Sequence, residues 1–380
     1  MKKNYIYLYL DQPSGNEQLY KVLPRSLNLK NYKTKYISTE NINFPKEDLY
    51  QYYKNSSKYD VPKNIIRFKN EKHFENFLNK ISHSDYIFIR ERSFVNNKGL
   101  DYDLNLFKKY RIKTIFLEYN NWIKCNFKKE FFFNILRFFW FNINKFLSPK
   151  NNFKPNYFIG SGTEGEENFK KKKWHNTKYV NCPSLWIDFT KKKKKKFLTY
   201  VDENIYFSRD QFISDKSYKK TTDPQKFLND LLKFFKIIEK KFNQKIIICC
   251  SNKFRYKRAI FGDRRIVYGK TLKYISESKL VLGHRSDAFY QALYSQTPVM
   301  LLRHRSFSFK RNMYIFYKSI NHFNKKANYI EDYLIGKHSF DLKIDKKYYG
   351  KLLRNYFLSS NLKKENFSKY FFNKIDRKLI

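Results

Sequence analysis

Short apolar runs alternate with helix-like stretches along both halves of this chain, and that rhythm constrains the fold more than any single motif. In the first half the runs cover residues 5–10, 34–37, 64–68, 86–89, 114–117 and 157–159. Alternation of this kind predicts a mostly parallel sheet with helices on both faces. The second half repeats it more cleanly, with strands at 197–201, 245–250, 265–268, 280–283 and 298–302 and helices at 224–242, 271–276 and 287–294. The longest of these helices carries its own start signal, because Asp223 is an N-cap type residue and Pro224 suits the first turn. Phe227, Leu228, Leu231, Leu232, Phe235, Ile237 and Ile238 then recur near the helical period. The expected class is α/β, with two doubly wound, Rossmann-like domains facing each other across a cleft.

A chain of 380 residues is long enough for two such domains, each with its own core. The pattern breaks at Thr190, where six lysines follow from Lys191 to Lys196. Like charges in a block resist packing and favour a solvated connector. The expected division is therefore 1–190, 191–310 and a helical, aromatic-rich tail over 311–380 that packs back across the domains.

Lys and Arg number 79 against 34 Asp and Glu, a formal charge of +45, which favours phosphates and anionic lipid surfaces as partners. Lys, Asn, Ile, Phe and Tyr share AT-rich codons, so a low-GC genome accounts for part of this excess. Cys125, Cys182, Cys249 and Cys250 lack CxxC spacing and indicate neither a zinc site nor a disulfide framework. Reduced thiols fit a cytoplasmic protein. The start of the chain has too few apolar residues before Asp11 for a signal peptide and reads as a strand. Residues 131–147 are aromatic but interrupted by Asn134, Arg137, Asn142, Asn144 and Lys145. They are too polar to span a bilayer and suit either a helix lying at the inner face of the membrane or one packed on its own domain.

In doubly wound sheets, ligands sit beyond the carboxyl ends of the strands where strand order reverses, usually beside the first and fourth strands. In the second half those ends are Asp202-Glu203-Asn204 and Gly283-His284-Arg285-Ser286-Asp287. Ser286 is a capping residue opening a helix, whose free N–H groups and positive dipole end suit a phosphate. Gly283 permits close backbone approach, and His284 has a hydrogen bond to offer a phosphate oxygen or ribose hydroxyl. The Asp287 carboxylate would compete with phosphate unless it turns away. Lys253 and Arg255, beyond the second strand, and Arg303, beyond the fifth, are further candidates for the same ligand.

The stretch from Tyr274 through Ser286 to Val299, with Ala292-Leu293 on the helix and Pro298 opening the next strand, resembles the donor half of GT-B glycosyltransferases and related sugar-nucleotide enzymes. The His-x-Ser form at His284, with Tyr200-Val201-Asp202-Glu203 upstream, looks like enzymes that assemble bacterial surface polysaccharides, including capsule-type and Kdo- or sialyl-type transferases. The resemblance implies a nucleotide-sugar donor on the second domain and a glycan or lipid-linked acceptor on the first. It implies a carboxylate base and no cofactor or metal. Asp11, Glu118 and Glu164 are the candidate bases at strand ends of the first domain, Asp11 narrowly preferred, with Glu91 a further strand-end carboxylate.

Residues Gly160 to Gly165 lack the Gly-Lys-Ser/Thr ending of a P-loop. The pair Asp101 and Asp103 stands away from any strand end and reads as capping or surface charge, not as a metal-binding DxD. Two other readings stay open. One is a nucleotide-sugar epimerase or hydrolase on the same fold, and the other is a non-catalytic polyanion binder. Basic residues spread over the whole chain form no recognisable nucleic-acid motif, so no specific nucleic acid is expected as a partner.

Overall fold

Apolar residues on both faces of each strand run make these segments stable only in the middle of a layered fold, where helices cover both sides. The computed structural model describes residues 4–10, 32–43, 46–47, 49–50, 65–91, 98–118, 154–172, 174–184, 187–189, 194–203, 222–250, 256 and 260–358. They fall into two compact units, the first running to Cys182 and the second taking over at Pro183. The aromatic segment 131–147 lies outside the described residues. No helix among the described residues is long and apolar enough to cross a membrane.

The first unit contains strands β1 (Asn4–Leu10), β2 (Tyr32–Ser38), β3 (Ile65–Arg67), β4 (Tyr86–Glu91), β5 (Lys113–Glu118), β6 (Tyr157–Gly160) and β7 (Lys178–Asn181). Its helices are α1 (Glu40–Asn43), α2 (Glu71–Leu78), α3 (Lys98–Lys109) and α4 (Gly162–Lys172). The strands are all parallel and lie in the order β3-β2-β1-β4-β5-β6-β7, so the reversal falls between β1 and β4. Tyr9, Ile87, Phe74, Phe107 and Phe158 pack in its core with Trp174 against them. Asp103 is neither a cap nor a surface charge. It is fully buried on α3, where its Oδ2 accepts from the hydroxyls of Tyr9 and Thr39 and ties α3 to the ends of β1 and β2.

The second unit contains β8 (Phe197–Val201), β9 (Ile246–Cys250), β10 (Ile266–Tyr268), β11 (Ser278–Gly283), β12 (Val299–Arg303) and β13 (Asn328–Tyr329). Their order is β10-β9-β8-β11-β12-β13, again parallel, with the reversal between β8 and β11. Helix α5 (Pro224–Phe242) starts at Asp223, whose side chain accepts from the N–H of Lys226, and buries Phe227, Leu231, Phe234, Phe235 and Ile238 against the sheet. A carboxylate locks its far end. Glu239 takes Arg264 bidentately at 2.8 and 2.7 Å and also accepts from the N–H of Ile246. Helices α6 (Thr271–Ser276) and α7 (Tyr290–Ser295) follow, α7 being preceded by a single 3-10 turn at Asp287–Phe289.

Helices α8 (Phe309–Phe323), α9 (Ile330–Leu334) and α10 (Lys346–Tyr356), with β13, complete this second unit. Residues 311–358 are thus integral to its sheet and helical layers and not a separate tail. The lysine run also departs from the expected solvated connector at one place. Lys195 turns inward and donates to the carbonyls of Ser276 and Ser295, at 3.1 and 3.0 Å, and to the Thr297 hydroxyl. Those two carbonyls close α6 and α7, where a cation meets the negative ends of both helices.

Candidate functional site

The two polar clusters singled out in the second half meet at the carboxyl ends of β8 and β11. Val201 pairs with Gly283, and just beyond them a Glu203 carboxylate oxygen accepts from the backbone N–H of Arg285. The other oxygen of Glu203 accepts from Arg311 Nη2 at 2.9 Å. Glu203 therefore braces the reversal point, bonded on one side to β11's loop and on the other to α8. Asp202 faces the opposite way: its Oδ2 accepts from the hydroxyl of Tyr256 at 2.5 Å and lies 3.6 Å from Cys250 Sγ. Burial, reinforced by that carboxylate, pushes the Tyr256 hydroxyl far above its ordinary range, so it is a permanent donor.

His284 is a core residue, which corrects its expected role as a donor to phosphate. It is fully buried, with Nδ1 2.6 Å from the Leu302 carbonyl and Nε2 3.0 Å from the Tyr200 hydroxyl. A carbonyl only accepts, so Nδ1 carries the hydrogen and Nε2 accepts from Tyr200. Both ring nitrogens are thereby engaged. Burial lowers the imidazole to about 4, and it is neutral at physiological pH. Gly283 is likewise used within the fold. A Cβ there would stand 2.9 Å from the Val201 carbonyl and 2.5 Å from the Phe289 ring, so its missing side chain lets β11 close on β8.

Ser286 is the expected cap, its Oγ accepting from the Ala288 N–H at 3.2 Å. The Asp287 carboxylate is held in an ion pair. Lys318, buried on α8, donates to Asp287 Oδ1 at 2.8 Å and to the carbonyls of Arg285 and Ser286. The competing negative charge at this turn is thus matched by a fixed ammonium group.

Arg311 is the group that sequence reasoning missed. It is almost fully enclosed at 1% exposure, yet only Nη2 has a partner; Nε and Nη1 are buried and make no hydrogen bond. Its guanidinium lies over the Phe307 ring at 4.9 Å. Each buried N–H left unpaired costs about 1–3 kcal/mol. Arg303 is similar in kind: its guanidinium is held by the Tyr329 hydroxyl and by the rings of Tyr329 and Phe316, and its Nε is buried without a partner.

Among the other expected site residues, Lys253, Arg255 and Asp11 lie outside the described residues. Glu118 is the last residue of β5, and its side chain also lies outside them. Glu164 is half-buried in the first turn of α4, just past the end of β6.

No protein-family model matches this sequence, and no curated protein sequence matches it. Solved structures do resemble it in fold. UDP-GlcNAc 2-epimerase from Neisseria meningitidis bound to UDP-GlcNAc is 8% identical, with 98% of this chain and 100% of that chain covered and a TM-score of 0.46. The wall teichoic acid polymerase TagF, in its H444N variant, is 12% identical, with 99% and 89% covered and a TM-score of 0.47. TcCGT1 in complex with UDP is 10% identical, with 100% and 99% covered and a TM-score of 0.47. At such identities the chemistry of the site is read from this chain's own residues.

Proposed function

We propose that the chain is a nucleotide-sugar enzyme whose donor diphosphate is held at the reversal point between β8 and β11. The observation that carries this reading is the Arg311 guanidinium, buried with Nε and Nη1 unpartnered and bonded through Nη2 to Glu203, two residues beyond the end of β8. Ligands of doubly wound sheets collect at that edge, and an arginine fork matches phosphate oxygens. Glu203 positions the guanidinium and Lys318 neutralises Asp287, so the negative side chains nearest the site are already paired.

Within that class the reaction we favour is transfer of the sugar to a surface-glycan or lipid-linked acceptor, without a catalytic metal. Charge develops on the departing diphosphate as the glycosidic bond breaks, and preorganised donors such as Arg311 stabilise it. The proton of the acceptor hydroxyl passes to a carboxylate, proposed among Asp11, Glu118 and Glu164. The reading includes a cytoplasmic location at the inner face of the membrane, where such acceptors lie.

Screening UDP-, GDP-, CMP- and dTDP-linked sugars by thermal unfolding identifies the donor. The preferred donor is then incubated with and without lipid-linked acceptors. Consumption that requires an acceptor is the expected result. Conversion of the donor sugar without any acceptor would replace transfer by epimerisation or hydrolysis.

A further inference from the structure

We infer that the face of α8 carrying Phe309, Met313, Phe316 and Ile320 is a docking surface for an anionic lipid bilayer. These residues recur at intervals of four, three and four, which places them in one stripe along the helix. Arg311, Ile315, Lys318 and His322 follow the same spacing two residues later, about 200° around the axis, and all four are buried. The helix packs on β12 and α10. The opposite stripe stays at the surface: Phe309 is 66% exposed and Ile320 38%, with Met313 and Phe316 half-buried between them.

A single exposed apolar side chain needs no explanation, whereas a row of them along one helix marks a surface built for a partner. From Phe309 to Ile320 the stripe is about 16 Å long at the helical rise. That length suits a helix lying in the headgroup region, with its apolar side turned to the acyl boundary, and not one that crosses the bilayer.

Charge beside the stripe selects the partner. Residues 303–326 contain seven Lys or Arg and no Asp or Glu. Arg303 lies against Phe316 at 5.3 Å and over the Tyr329 ring at 4.2 Å, held by rings and the Tyr329 hydroxyl and not by a carboxylate. Lys326, just past the cap of α8 at Asn324, is exposed. The carboxylates that follow in sequence are already paired, Glu331 and Asp332 with Arg305 and Asp341 with Lys325. An apolar stripe with a cationic border matches a bilayer that presents lipid phosphates above its acyl chains, and aromatic rings favour that same interface. A second copy of the chain would bring an equally cationic border and a net charge of +45 against +45.

The buried side of the same helix carries Arg311 and Lys318, bonded to Glu203 and Asp287 at the proposed donor site. Docking through α8 therefore sets that site beside the surface where lipid-linked acceptors lie. This alignment rests on the proposed function; the docking itself is measured with no nucleotide or acceptor present.

The test sediments the full chain with vesicles of phosphatidylcholine alone and of phosphatidylcholine with phosphatidylglycerol in equal parts, at low and high salt. Binding to the anionic vesicles only is expected, and part of it survives high salt because salt screens exposed charges but not apolar contacts. Ile320→Glu and Phe309→Ser, both at exposed positions, are each expected to weaken the salt-resistant binding by about tenfold or more. Ile335→Glu should leave it unchanged, since Ile335, 75% exposed, follows α9, which packs on α5. No vesicle binding by the native chain, binding undiminished in the folded α8 variants, or an equal loss in Ile335→Glu overturns the proposal and leaves the donor site standing. Self-association of the native chain that the α8 variants abolish, without vesicle binding, overturns it in favour of a second copy.

Discussion

Burial holds the imidazole of His284 neutral, at about 4 against an ordinary 6.5, and this gives the residue a measurable signature. Its folded-state value is depressed, so its contribution to stability is complete above pH 6.5 and is lost as the pH falls toward 4. The shift corresponds to about 3 kcal/mol across that window. Urea unfolding at pH 7 and pH 4.5 should show a smaller loss in His284→Gln than in the native chain. An identical loss would mean that the imidazole is protonated in the folded state. The sequence placed His284 at the correct strand end but not its direction. Its partners, Tyr200 on β8 and the Leu302 carbonyl on β12, become neighbours only when the sheet forms. Arg311 was harder to foresee, since it stands in a basic, aromatic stretch whose composition matches the rest of the chain. The one local signal was Ser308, which caps α8 through the Arg311 N–H.

Element boundaries in the second unit followed from apolar runs and capping residues, and α5 spans the same residues that its Asp-Pro start and periodicity imply. Two strands escaped notice for physical reasons. β7 reads KYVN, with a single fully apolar residue, and β13 pairs over only two residues at the edge of its sheet. The lysine run shows the limit of reading charge by composition, since Lys195 serves two helix ends while its neighbours Lys194 and Lys196 are exposed. Lys195→Ala should therefore destabilise the chain by about 1–2 kcal/mol in urea unfolding, because it leaves buried acceptors unpaired. Lys194→Ala should change stability by less than about 0.5 kcal/mol. Equal effects from the two would return the whole run to a solvated connector.

At the scale of the molecule, each unit places its first and fourth strands side by side, so each has one reversal point. That much was legible, because the alternation of strands and helices leaves few other topologies. The direction of the carboxylates at the second reversal point was not, because Asp202 is bonded to Tyr256 and Glu203 to Arg311, both distant in sequence. The net charge of +45 is a property of the whole surface, whereas the unpaired Arg311 donors are a property of one site. The most direct test is equilibrium binding of the preferred nucleotide sugar to the native chain and to Arg311→Lys, which keeps the charge opposite Glu203 but removes the fork. The account predicts saturable binding, with about 2.7 kcal/mol of stabilisation at 100 times the Kd. It predicts affinity at least tenfold weaker in the folded variant, about 1.4 kcal/mol or more. Unchanged affinity in folded Arg311→Lys, or no binding of any nucleotide sugar by the native chain, would contradict it.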